Sequence, residues 1–589
     1  MPRIPHPLRS FALLAGFALS MFAPLASAQF VFVGPASDPD CDYHTIQDAI
    51  DAWAASSSTD FLDVYIANSQ AYPATAITIP TPAASSGIGL NGSQAGCHLA
   101  AASGRAVLDG NGNGNMPVIT IDGTQAGDAR RFEVNLNQLD ITGGHLAAGN
   151  GGGVRLSGNA TATIFETDIH GNSALNGGGV AVEATAAGVP NLIMVGNQAA
   201  AAVQNNHATE DGGGMYCIDA SLYCDRYCLV AGNTAGGNGG GVAQQACSTA
   251  IYPSNSSGTP DPNVGLRANT AAGDGGGAWV SGGYFSLGGS APLRHAPVAG
   301  NIAGGNGGGM YYTGLGSSSN VQRAVQFDDN QAGVDGGALY ADSGFLQLDA
   351  SLTGGCGGDV DGCARFRGNH ADGIGGALAL SGTANALMWN VMFADNDAAH
   401  ASVMQIGVGG AGATLIDTHV AGNHGAPELL RSSGGYFDFR YVTIADNGSD
   451  DSALIRFDAP GSFAAANSLL YDANGASSGL VVAAPTGTTY YIDCVLVHED
   501  SELAGQANVT NLIVADPQWD ASGWYPAGLY VPGPDSPAVD ACGPGPGTIP
   551  DLLGVARPQD LPKPDGAGQY DMGAIERLPD RIFADGFEA

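Results

Sequence analysis

The chain has 589 residues, 91 of them Gly, and carries 55 acidic against 19 basic residues, a formal net charge of −36. Such a surface repels nucleic acid and anionic lipid headgroups, which excludes both as partners, and would repel polyanionic sugars unless cations bridged the two. With 10 Cys and Lys563 as its one lysine, the chain suits an oxidising compartment and offers little amine chemistry.

In chain order, residues 1–28 read as a secretory signal peptide. Arg3 and Arg9 precede an apolar stretch from Phe11 to Phe22, and Ala26-Ser27-Ala28 is a small-residue cleavage site. About a dozen apolar residues are too few to span a bilayer, and Gln29 in place of Cys argues against a lipid anchor. No later run is long enough to span, so no transmembrane segment is expected in the mature chain.

Residues 29–130 are read as an N-terminal cap with the first coils of a stack. Within Tyr43–Trp53, Ile46, Ala49, Ile50 and Trp53 fall on one helical face, with Thr45 as N-cap and Asp48 near the helix start.

Residues 131–515 are built on a repeat. An Asn or Asp is followed by glycines and an apolar pair at Asn150, Asn176, Asp211, Asn238, Asp274, Asn306 and Asp335; an eighth copy has Ile374 in that slot. Upstream of most copies stands an apolar residue, two variable residues and Asn, ending at Asn233, Asn301, Asn330, Asn369, Asn396 and Asn423. A period of roughly 27–39 residues means a solenoid. Short apolar runs such as Val180–Val182, Met215-Tyr216 and Leu378–Leu380 are strand signals bounded by Gly, Asn and Asp, and helical periodicity is absent. Strands with sharp glycine corners describe an all-β fold, a parallel β-helix of roughly a dozen coils at about 4.8 Å each. The Asn residues are expected to stack as a buried, inward ladder, and the glycines to stand where a Cβ would strike the next coil.

Cys217, Cys224, Cys228 and Cys247 lack the paired C-x2-C spacing of zinc ribbons and are read as disulfides, with three connectivities open. Cys356 with Cys363, Cys41 with Cys97, and Cys494 with Cys542 are further expected pairs. Residues 516–579 form an irregular closing segment, the C-terminal cap, and 580–589 a short aromatic and acidic tail.

Three stretches carry a resemblance. Thr45-Ile-Gln-Asp-Ala-Ile50 looks like the capping helix of pectin-lyase-like right-handed β-helix proteins, and Val64–Ala67, Tyr72, Ile77–Ile79 and Val107–Gly110 are similar to their first coil. The repeats resemble the GGA[ILV] and FxxN motifs of chlamydial-type polymorphic outer membrane proteins. Ser536–Asp540, Arg557-Pro558 and Asp571–Glu576 look like the closing segment of secreted bacterial β-helix proteins. The resemblance implies a protein secreted from, or displayed on the outer membrane of, a Gram-negative bacterium. It departs from the autotransporter pattern in one respect: the roughly 75 residues after Asp516 lack alternating ten-residue strands, so no β-barrel is expected of them.

Catalytic residues are not identifiable from the sequence. Nucleophile-elbow, zincin and phosphate-loop motifs are missing. A lyase base would have to be an arginine, with Arg155, Arg323, Arg365, Arg367, Arg431, Arg440 and Arg456 conceivable. Asp328-Asp329 and Asp450-Asp451 are adjacent carboxylates, which on a strand face opposite sides. Asp211, Asp274 and Asp335 are read chiefly as corner residues, with calcium binding by stacked oxygens as the functional alternative; no other cofactor is expected. Trp279, Tyr284, Phe285, Tyr311, Tyr312 and Tyr340 are candidate contact residues. The expected function is a non-catalytic, adhesin-like or envelope-associated scaffold meeting a glycan, a protein or another extracellular surface. The alternative is a polysaccharide lyase or glycoside hydrolase with a divergent site.

Overall fold

The computed structural model describes residues 29–82, 84–99, 104–124, 131–252, 264–288, 296–314, 320–323, 325–349, 363–409, 411–448, 453–472, 479–522, 525, 527–543, 550–559 and 569–578. The expected signal segment, the tail, Cys356, Lys563 and Asp450-Asp451 lie outside the described residues.

From Val154 to His400 each coil runs through four strands, and the later coils lack the fourth. In one coil these are Val154–Gly158, Ala160–Phe165, Asp168–His170 and Ser173–Ala174, after which the chain starts again at Val180–Glu183. We call the four positions faces one to four. Every strand pairs in parallel with its counterpart one coil on, as Val154↔Val180 and Ile169↔Val203 illustrate. Among the described residues, face one forms a 14-stranded sheet and face four an 8-stranded sheet. Faces two and three join into one 30-stranded sheet because Ser462–Leu470 and Thr489–Val497 run across both. The molecule is a parallel β-helix solenoid.

Alternation along each strand fills the interior with apolar side chains. Phe327, Phe366 and Phe393 stack in parallel at 4.8 and 4.9 Å between ring centroids, so the apolar member of the Asn element is an inward aromatic ladder. The corner after face three explains the Asn. Asn330, fully buried, accepts at Oδ1 from the backbone N–H and the Nδ2 of Asn301 (3.1 and 2.9 Å). Its own Nδ2 donates to Val298 O and to Asn369 Oδ1 (2.8 and 2.9 Å). The same pattern links Asn172 and Asn206 to Asn233, Asn269 and onward through Asn396, Asn423 and Asn447. Asp472 ends the ladder by accepting from the Asn447 N–H. The second of the two supposedly variable residues is not free. It has positive φ in every such coil, as in Gly232, Gly300, Asp329, Gly368, Asp395, Gly422 and Asp446, which favours Gly, Asp and Asn there.

The glycine cassette turns face four into face one. Its first Gly has φ between +60° and +75°, from Gly177 to Gly151 and Gly375. Its second has no space for a side chain: a Cβ on Gly308 would sit 2.3 Å from Gly337 O and 2.4 Å from Gln331 O.

At the N-terminal end the helix Ile46–Ala54 covers the stack with Ile46, Ala49, Ile50 and Trp53 buried. Thr45 caps it, Oγ1 accepting from Asp48 N at 3.1 Å. No described helix is long and apolar enough to cross a membrane. Four disulfides are Cys41–Cys97, Cys217–Cys247, Cys224–Cys228 and Cys494–Cys542. They decide the open connectivity and occupy the thiols that zinc would need. Cys363 is also disulfide-bonded.

The segment expected to close the C-terminal end instead folds back along the side of the stack. Beyond Asp516 it lies as a strap over the outer surface of the later coils. Asn390 donates to Asp551 O, Gly573 N–H to Asn467 O, and Cys542 is bonded to Cys494. Arg557 is buried between Asp417 of the stack and Glu576 of the strap, at 2.8 Å from each, with its guanidinium 4.2 Å from the Tyr441 ring centroid.

Candidate functional site

Face one carries an outward row whose aromatic members are half-buried and whose alanines, Ala243 and Ala379, are covered. In register, one residue per coil, it reads Tyr216, Ala243, Trp279, Tyr311, Tyr340 and Ala379. The parity follows from the cassette, which places Met310 inward, Tyr311 outward and Tyr312 inward. Tyr312 and Phe285 are therefore core residues and not contact residues, whereas Tyr284 is exposed. Tyr311 and Tyr340 stack at 5.2 Å with 3° between their planes. Burial, then the carboxylates of Asp342 and Asp274, push the Tyr311 phenol up to about 12. Burial likewise raises Tyr340. Both remain neutral and present apolar bodies with a hydroxyl tip in a negative field.

The Asn/Asp row forms one border of this strip. Its members cap the corner: Asn176 Oδ1 accepts from Asp211 N, Asp211 Oδ1 from Asn238 N, and Asn238 Oδ1 from Asp274 N. Asp274 Oδ1 then accepts from Asn306 N (2.7 Å), Asn306 Oδ1 from Asp335 N, and Asp335 Oδ1 from Ile374 N (2.9 Å). Ile374 has no oxygen to pass on, and the row stops. Each of the calcium candidates Asp211, Asp274 and Asp335 thus uses one oxygen on backbone. They lie two coils apart, about 9.6 Å, and do not gather around a common point. The one described group of metal-type ligand atoms is Asp38 with Cys41 and Cys97, whose thiols are in a disulfide.

The candidate arginines are held by carboxylates. Arg155 pairs with Glu183 (3.1 Å), Arg440 with Asp438 (2.7 Å), and Arg431 and Arg456 share Asp458 (2.7 and 3.2 Å). Arg365 grips both oxygens of Asp328 at 2.9 and 2.8 Å, and Arg367 stands 3.7 Å from the same group. The Arg323 side chain lies outside the described residues. Asp329 turns away at its corner with φ +56°, so it makes no acid/base pair with Asp328.

A polar cluster on face three escapes a linear reading. His170 Nε2 is 2.5 Å from Asp140 Oδ1, Gln204 Nε2 donates to both oxygens of Asp168, and Arg105 is 3.6 Å from Asp168. The Asp140 hydrogen bond raises the His170 pKa, and burial raises that of Asp168. The signal was the match of Asp140-x-Thr142 with Asp168-x-His170 one coil on, visible only once the register is known. No protein-family model matches the chain.

Proposed function

We propose that the protein is a secreted or surface-displayed, non-catalytic β-helix, an adhesin-like or envelope-associated scaffold of a Gram-negative bacterium. The observation that carries this reading is the outward row from Tyr216 to Tyr340, a long contact strip bordered by carboxylates on a regular sheet. Aromatic side chains are the commonest anchors of binding surfaces. The disulfides fit an oxidising, extracellular setting, and the resemblance of the repeats to polymorphic outer membrane proteins supports display at the cell surface. Purified mature protein should bind an envelope fraction, and Trp279→Ala with Tyr311→Ala should abolish that binding. It should release neither reducing nor unsaturated sugar ends from a polysaccharide panel, with or without calcium. Release of such ends, or envelope binding indifferent to both substitutions, overturns the reading.

The second reading, a polysaccharide-active enzyme, is favoured by Asp168 and His170, whose pKa values are both raised, because shifted pKa values gather at catalytic groups; Asp140 is the hydrogen-bond partner of His170. Under it, His170→Ala would remove any sugar-releasing activity found in the panel.

A further inference from the structure

The strap does not seal against the stack along its whole length. Between its residues Ala527, Gly528 and Tyr530 and face three lies a cleft of roughly 310 Å³. That is the lower end of ligand-pocket volumes, about 300–1,000 Å³, with room for a short piece of a chain molecule and not for a folded partner. Its floor is made by successive coils at Ala394 and Ala421, in register, with Met392 beside them. The side chains are small, so the floor is flat and apolar.

The polar groups around this floor differ in what they already hold. Arg365 already grips both oxygens of Asp328. Asp446 accepts from the Tyr530 hydroxyl. Arg367 reaches Asp328 only at 3.7 Å, with its side chain 47% exposed. Asp395 has no hydrogen-bond or ion-pair partner among the described residues. Arg367 pairs in register with Ala394, the neighbour of Asp395, yet the two charges form no ion pair. The cleft therefore sets an underused donor fork beside an unused acceptor, above an apolar floor.

Its wall is pre-organised. Tyr530 N–H donates to His419 Nε2 at 3.0 Å, and the Tyr530 ring lies 6.0 Å from that of His419 and 5.4 Å from that of Trp519. Burial lowers the His419 pKa to about 4, so its imidazole stays neutral and continues to accept. A wall already in place costs a ligand little ordering entropy.

The balance of charge selects the ligand. Asp395, Asp446 and the overall charge of −36 disfavour a polyanion, and the two guanidinium groups disfavour a polycation. A purely apolar guest would bury Arg367 and Asp395 without partners. A molecule dense in hydroxyls donates to Asp395 and accepts from Arg367 at once, while its C–H face rests on Ala394 and Ala421. We infer that this cleft is a binding site for an uncharged glycan, holding one or two sugar rings between Arg367, Asp395 and Tyr530. It lies away from face one and does not depend on the contact strip there.

Affinity electrophoresis of the full mature chain tests this, through gels containing a mixed-linkage β-glucan, a galactomannan or an arabinoxylan, with polygalacturonate as the charged control. At least one neutral polymer should retard the protein, and 0.5 M NaCl should not abolish the retardation. Arg367→Ala and Asp395→Gly should each weaken it about tenfold or more, the scale of a lost charge-assisted hydrogen bond. Both side chains are at the surface, and Gly accepts the left-handed backbone at position 395, so the variants should keep the native melting temperature. Tyr491→Ala, at an exposed position outside both the cleft and the face-one strip, should bind like the native chain. Three results would each overturn the inference: no retardation by any neutral polymer, retardation unchanged by both cleft substitutions, or retardation lost equally in Tyr491→Ala.

Discussion

Replacing Asn330 by Leu tests the buried amide ladder directly. Leu keeps the branched shape with bulkier methyl groups, so the perturbation is the loss of hydrogen bonding together with some overpacking. The Asn301 backbone N–H loses Asn330 Oδ1, the acceptor it has at 3.1 Å. Asn301 Nδ2 loses the same acceptor and keeps Leu266 O. Asn369 Oδ1 keeps the backbone N–H of residue 330 and loses the side-chain donor, and Val298 O loses one donor. Two N–H bonds are thus left buried without a partner, at about 1–3 kcal/mol each. The added apolar contact of Leu returns about 1–2 kcal/mol at most. The expected net loss is about 2–3 kcal/mol, within outer bounds of about 0–5 kcal/mol. Because a solenoid unfolds through neighbouring repeats, amide hydrogen exchange is the suitable assay. Protection should fall in the coils around Asn301, Asn330 and Asn369 and be unchanged at the N-terminal helix. Asn330→Asp should also destabilise, since a carboxylate cannot donate to Val298 O or Asn369 Oδ1. Native protection in both variants would refute the claim that the ladder contributes to holding the coils together.

Three further outcomes are expected. Gly308→Ala should lower the melting temperature more than Gly309→Ala, because the third cassette position already holds Ala338 and Ala377 in other coils; equal effects would count against the steric account of the corner. Cys542→Ser should free the strap, because Cys494–Cys542 closes a loop of 48 residues that chain entropy values at about 4 kcal/mol; limited proteolysis should cut within 516–578 first and leave the stack intact. The strap contacts also carry opposing pH dependences. Burial raises Asp417 to about 7, so its folded form holds the proton longer and its contribution falls as pH rises from about 4 to about 7. His419, lowered to about 4, makes a contribution that grows from about 4 to about 6.5. Asp417→Asn removes only the first, so thermal stability of the variant should rise more steeply with pH than that of the native chain across this window; parallel profiles would contradict the assignment.

The sequence by itself determined the coil. Each corner depends on residues next to one another in the chain: a left-handed residue before the ladder Asn, a left-handed Gly in the cassette, and a second Gly with no room for a Cβ. Those needs recur with every coil, so the period, the strands, the buried Asn column and the helix under Trp53 can all be read without coordinates. Only the tertiary structure decided the rest. Strand parity separates outward Tyr311 from inward Tyr312, and nothing in Met310-Tyr311-Tyr312 announces which way the strand will face. Cys217 joins Cys247 because adjacent coils bring them together, and Asp140 meets His170 for the same reason. The strap is further still from local control. Asn390 contacts Asp551 across 161 positions and Asp417 contacts Arg557 across 140. Such pairings are selected by the buried surface and charge they satisfy after the stack exists, and so a segment that reads as an end cap lies along the side and forms a cleft there.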